Sequence, residues 1–195
     1  DIDNFVVDAA TRRLLGRGKR APREQLLVAE GKDGLELALF VDENALANLE
    51  KNDPRSQLDD RNLQDFLLIV EGVSHFVYLA WRARHARPVS VLEMELQAEV
   101  DKYVTCLLTM LPQFGRPPSD LRCLLFDRFQ LAPDLDYGER ERYLVANCNA
   151  RSYAASLDDR YVRPRDYPGM LRELRWFYRL DGRGKLDYIA RAASP

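Results

Sequence analysis

The chain has 195 residues, of which 46% are hydrophobic and 31% are charged, and its net charge at pH 7 is −2. These values are ordinary for a globular protein and exclude general disorder. The net negative charge argues against a protein whose whole surface is built for nucleic acid or anionic lipid. The length suits a single domain over residues 1–195, with residues 58–195 as its helical core.

The three cysteines, Cys106, Cys123 and Cys148, form no close pair and are odd in number. They match neither a disulfide framework nor a zinc-binding spacing, so we expect a reducing, cytoplasmic location. The first twenty residues lack the apolar core of a signal peptide. Polar residues interrupt the most apolar stretch, residues 66–81, so we expect no membrane span.

The N-terminal part of the chain predicts the β-structure. Residues 1–22 suggest a peripheral helix over 4–15 followed by a loop. Residues 24–41 contain two apolar runs separated by Gly31-Lys32-Asp33-Gly34, which is typical of a β-hairpin. A lone hairpin is marginally stable in water, so this one must pack on helices.

The rest of the sequence predicts helices. A helix capped by Asp42 runs to Lys51, a long apolar helix covers about 58–84, and Ser90 caps a helix that reaches residue 111. Further helices are expected at 120–129, 138–161 and 167–177, with a short one to residue 192 after a glycine-rich turn at 181–184. The fold class is therefore α+β and mainly α, with an N-terminal hairpin packed on about five to seven helices.

A narrow polar stripe marks the long apolar helix. At about 100° per residue, Glu71, His75, Tyr78 and Arg82 fall on one face of it. Glu95 and Glu99 lie beside the apolar stripe of the next helix. The short connection between the two helices favours an antiparallel pair, in which the two glutamates could face Glu71 and His75.

This stripe has three interpretations. It is a strip of exposed surface, a structural network in which Arg82 or Lys102 neutralises the carboxylates, or a functional site. A metal site would use Glu71, His75, Glu95 and Glu99 to bind Mg²⁺, Mn²⁺ or Zn²⁺. Without a metal, the catalytic residues would be His75 as a general base and Glu71 beside it.

An arginine-rich segment near the C-terminus is a second candidate surface. Basic residues alternate there with aromatic ones, and could contact nucleic-acid phosphates or an acidic partner. These basic residues are Arg172, Arg175, Arg179, Arg183 and Lys185. In the alternative, Trp176 and Phe177 pack inward while the arginines form ion pairs, and the net acidity of the chain favours this view.

No motif for a nucleophile, a metal or a phosphate stands out in the sequence. We therefore expect a non-enzymatic protein that acts through protein–protein contacts, with an unknown protein partner or a second copy of itself. A first alternative is a metal-assisted hydrolase whose Glu/His cluster holds a divalent metal between two antiparallel helices. A second alternative is nucleic-acid binding through the Arg-rich ends.

Overall fold

The computed structural model describes residues 2–15, 22–31, 34–128, 131 and 135–192. Helices dominate and a small sheet lies in the N-terminal region, which confirms the α+β, mainly α fold class. The chain divides into two compact units, Asp1–Pro88 and Val89–Pro195, which are described in turn. The expectation of one domain over residues 1–195 stays a prediction.

The sheet of the first unit contains the predicted hairpin. Its three strands are β1 (Val6–Val7), β2 (Glu24–Gly31) and β3 (Gly34–Val41). Strands β2 and β3 pair antiparallel with Gly31 opposite Gly34, and β1 pairs parallel to β3 on its other side. The hairpin over 24–41 is thus confirmed, while its turn residues 32 and 33 lie outside the described residues.

The predicted N-terminal helix over 4–15 is shorter than expected. A 3-10 turn (Ile2–Phe5) and β1 come first, and α1 covers only Ala9–Leu15. The β-branched pair Val6-Val7 lies opposite Leu39 and Phe40 of β3. Valine suits a pleated strand better than a helix, and this pairing removes the first turns of the predicted helix.

Two more helices of the first unit follow, α2 (Glu43–Lys51) and α3 (Leu63–Arg84). The Asp42 side chain accepts a hydrogen bond from the Asn44 N–H at 2.8 Å, which caps α2 as predicted. Helix α3 begins five residues later than residue 58. The Asn62 side-chain amide donates to the carbonyls of Asn52 and Gln57, and this holds the preceding segment in turns.

Helix α3 packs on the sheet through a small apolar cluster. Leu39 and Val41 of β3 and Phe76 of α3 are its buried members. Among the described residues, α3 is the one helix long and apolar enough to cross a membrane by length and composition. Core helices of soluble proteins have the same length and composition, so this is weak evidence for a membrane span.

In its described residues the second unit has four α-helices, α4 (Val91–Phe114), α5 (Tyr137–Leu157), α6 (Tyr167–Arg179) and α7 (Gly182–Ala192). Ser90 caps α4 by accepting from the Glu93 N–H at 3.1 Å. A capping box between Asp136 and Glu139 begins α5. The helical part of the prediction is thereby confirmed in outline.

The bounds of several of these helices differ from the prediction. Segments Cys123–Asp127 and Asp158–Val162 are π-helical turns, so the helix predicted over 120–129 is shorter in its described part and mostly π-helical, and α5 ends at Leu157. The glycine-rich turn at 181–184 is instead the start of α7, because Asp181 accepts a hydrogen bond from the Gly184 N–H at 2.7 Å. Helix α4 continues past Pro112 to Phe114, and Gly115, whose φ is +67°, is its C-cap.

Candidate metal centre

The polar stripe of α3 is not an exposed strip. His75, Tyr78 and Arg82 are buried, with exposed fractions of 8%, 0% and 2%, and Glu71 is partly buried. Burial of charged and polar groups requires partners that replace water. The stripe therefore belongs to the interior of the fold.

The C-terminal half of the stripe has a structural role. Nε and Nη2 of Arg82 both donate to the carbonyl oxygen of Pro88, Nε at 3.2 Å, and the guanidinium lies 5.9 Å from the centre of the Tyr78 ring. These contacts fix the chain that leaves α3. Arg82 is thus committed to the loop after its own helix.

The N-terminal half of the stripe meets a residue that the sequence does not single out. One carboxylate oxygen of Glu24, one of Glu71 and one ring nitrogen of His75 all lie within 4.8 Å of one another. Glu24 is the first residue of β2, and Glu71 and His75 lie one turn apart on α3. We call these three residues the Glu24 cluster.

Gly72 makes room for the Glu24 side chain on α3. A Cβ atom at position 72 would lie 2.7 Å from Cγ of Glu24 and 2.9 Å from its Oε1. Real Cβ atoms do not come that close to other heavy atoms, so the glycine lets this carboxylate lie against the helix. The absence of a side chain at position 72 therefore helps to place Glu24 in the cluster.

Arg23, the residue before Glu24, ties the start of β2 to neighbouring elements. Its Nη2 donates to Asp65 in the first turn of α3 at 2.6 Å, and its Nε donates to Asp42 at 3.1 Å. Hydrogen bonds from the Asn44 N–H and from Arg23 hold the pKa of Asp42 below its usual value. One of these ion pairs thus ties the backbone that carries Glu24 to α3, and the other ties it to the residue that caps α2.

The Glu24 cluster has the donor set of a first-row metal site. Carboxylate oxygens alone suit Mg²⁺ or Ca²⁺, whereas an added imidazole nitrogen suits Mn²⁺, Fe²⁺ or Zn²⁺. Three protein ligands also leave coordination positions open for water, as catalytic metal sites do. The arrangement can therefore hold a divalent cation.

The other two residues of the predicted metal site, Glu95 and Glu99, lie on α4 in the second unit and are buried. Lys102 forms an ion pair with Glu99 one turn along the same helix. This pair is one that the structural-network interpretation predicts. A metal site that combines Glu95 and Glu99 with Glu71 and His75 stays a prediction.

The arginine-rich segment covers α6 and the start of α7. Arg172, Arg175 and Arg179 are exposed, as is Arg183, whose Nε lies 3.8 Å from Asp187. Lys185 is fully buried, and its ammonium lies 5.2 Å from the centre of the Phe177 ring. Lys185 therefore belongs to the core, out of reach of a ligand on the surface.

The aromatic residues of this segment divide between core and surface. Phe177 is fully buried, as the alternative interpretation of the segment predicts. Trp176, which that interpretation also places inside, is 46% exposed. The helix thus turns one of its two neighbouring rings outward, beside the arginines.

Glu173 of α6 is the centre of a polar network on the same helix. Arg160 donates to both of its carboxylate oxygens, at 2.5 and 2.6 Å, and the hydroxyls of Tyr161 and Tyr188 donate at 2.5 and 2.9 Å. Burial disfavours the charged carboxylate, but these donors outweigh it and hold the pKa of Glu173 below its usual value. This network is a structural clamp, because it joins α6 to the π-helical turn before it and to α7.

Cys106 is not a reactive nucleophile. Cys106 is buried, and burial raises the pKa of its thiol to about 12. A thiol with such a pKa stays protonated at neutral pH and is inert. All three cysteines are free thiols, in keeping with the absence of a disulfide pattern in the sequence.

Comparisons with protein-family models, with curated proteins and with solved structures find no match to this chain. A functional assignment therefore depends on the residues of the site itself.

Proposed function

We propose that the first unit binds a divalent first-row metal ion through Glu24, Glu71 and His75. The observation that supports this is the meeting of two carboxylates and one imidazole within 4.8 Å. The imidazole favours Mn²⁺ or Zn²⁺ over Mg²⁺, and the general order of metal affinities places Zn²⁺ above Mn²⁺. All three ligands come from one compact unit, so the site needs no residue from elsewhere in the chain.

A bound metal would give the site its chemistry. A divalent ion with open positions lowers the pKa of a bound water, which then serves as a nucleophile for hydrolysis. Glu71 and His75 would act as ligands in this arrangement. The metal-assisted hydrolase is thus compatible with the Glu24 cluster and stays a prediction.

The protein–protein function expected from the sequence also stays a prediction. An open groove of about 850 Å³ lies along the hairpin, lined by residues of β2 and β3 and by Leu15. Leu15 and Val28 of this groove are exposed, and β2 is an edge strand of the sheet. Edge strands and exposed apolar side chains are the usual places where a partner docks.

The metal proposal is tested by titrating metal-free protein with ZnCl₂ and MnCl₂ in a calorimeter. We expect one equivalent of metal per chain, and a loss of affinity of about 10-fold or more in each of Glu24→Gln, Glu71→Gln and His75→Ala. The matched control is Glu30→Gln, which removes an exposed carboxylate from the same strand as Glu24. Wild-type protein that binds no metal, or variants that bind as tightly as wild type, would contradict the proposal.

A further inference from the structure

We propose that the outward surface of α6 binds single-stranded nucleic acid. Four residues of this helix, Arg172, Arg175, Trp176 and Arg179, lie within about 100° of one another around the axis. All four are exposed. We call them the α6 basic face.

The opposite side of α6 fixes which way this face points. Met170 and Phe177 are fully buried there, and the Phe177 ring stacks on Tyr153 with their centres 4.1 Å apart. The helix is therefore strongly amphipathic, with its apolar side held in the core of the second unit. The α6 basic face is a rigid platform on a helix and not part of a loop.

The charge of this face is not cancelled by the helix that carries it. The one acidic residue of α6 is Glu173, and its carboxylate is occupied by Arg160, Tyr161 and Tyr188. Within the described part of the chain, neither Arg172 nor Arg175 forms an ion pair. Two guanidinium groups are thus available for phosphates, which arginine binds with paired hydrogen bonds.

The exposed indole of Trp176 favours single-stranded nucleic acid over the other anionic partners that arginines bind. This indole is 46% exposed between the arginines, and its ring meets Tyr188 edge-on with the centres 4.8 Å apart. This contact holds the indole in place while it remains accessible. Unpaired bases stack on such aromatic rings, whereas the bases of a duplex are already stacked and an acidic peptide has none.

The test measures binding of a fluorescently labelled 12-nucleotide oligo(dT) by anisotropy at several salt concentrations. We expect the affinity to fall as salt rises, because phosphate contacts release counterions. The double variant Arg172→Ala with Arg175→Ala should weaken binding about 10-fold or more. The negative slope of log K against log salt should become shallower by about 1.4, because two phosphate contacts are lost. Trp176→Ala should weaken binding and leave the slope unchanged, and Trp176→Phe should restore most of the affinity.

Three controls separate this proposal from general attraction of anions. Arg163→Ala removes an exposed arginine that pairs with Asp159 in the same unit, and it should leave binding unchanged. A duplex of the same length and an oligo-glutamate peptide should bind much more weakly than oligo(dT). The proposal is overturned if oligo(dT) does not bind at 50 mM salt. It is also overturned if all three anions bind alike or if binding is indifferent to Trp176.

Discussion

At the residue scale, Gly72 is the position where the packing of α3 on β2 determines whether the Glu24 carboxylate can join the cluster. Its missing Cβ leaves the space that Cγ and Oε1 of Glu24 occupy. We expect Gly72→Ala to displace this carboxylate, because a flexible side chain moves more readily than the helix or the sheet. The affinity for Zn²⁺, measured by calorimetry, should then fall to about that of Glu24→Ala.

The matching double variant shows whether Gly72 acts through Glu24. In a Glu24→Ala background, Gly72→Ala should lower metal affinity no further. It should also change the free energy of unfolding of the metal-free protein by no more than about 1 kcal/mol, because alanine is the better helix former but its Cβ would lie 3.0 Å from Cδ1 of the buried Leu39. Denaturation in urea measures that change. An equal loss of affinity in both backgrounds would mean that Gly72 supports the helix and does not position Glu24.

The sequence could predict two of the three residues of the Glu24 cluster. Glu71 and His75 stand out because their spacing places them on one face of a helix that is otherwise apolar. Glu24 gives no such signal, since it enters the cluster only when β2 packs on α3, far away along the chain. Lys185 shows the reverse case: its neighbours in the sequence suggest a surface, but contacts with Gln97 and Phe177 bury it.

At the scale of elements, Glu173 joins α6 to the π-helical turn Asp158–Val162 and to α7. Its pKa is lowered below 4.5 in the folded protein, so its carboxylate stabilises the fold fully above pH 4.5. That contribution is lost as the pH falls through the lowered pKa. We expect Glu173→Gln to reduce the free energy of unfolding by about 1–3 kcal/mol at pH 7 and by less at pH 3.

Urea denaturation of both proteins at the two pH values measures this difference. Glu141→Gln is the matched control, because Glu141 is an exposed glutamate on α5 and should matter little at either pH. A Glu173→Gln effect of the same size at pH 7 and pH 3 would show that packing, and not the charge of the carboxylate, links these elements.

The sequence predicts a helix boundary where a local signal such as a capping residue sets it. It does not predict a boundary that tertiary contacts set. Ser90 and Asp42 are caps that the sequence alone identifies, and both cap their helices in the structure. The π-helical turns escape prediction because a 3.6-residue period does not distinguish them from ordinary helix. At Asp158, the hydroxyl of Tyr103 and the guanidinium of Arg122 both contact the side chain where α5 gives way to the π turn.

At the scale of the whole molecule, the division into two compact units predicts where a metal acts. The Glu24 cluster lies entirely in residues 1–88, so metal binding should stabilise that unit directly. At a free metal concentration 100 times Kd the gain is about 2.7 kcal/mol, which slows amide exchange about 100-fold where exchange requires unfolding of the unit.

Hydrogen exchange read by mass spectrometry should show this protection in β2 and α3 and leave α5, α6 and α7 unchanged. His75→Ala should abolish it. Equal protection in both units would mean that they unfold as one cooperative body. No protection in either unit would contradict the proposed metal site.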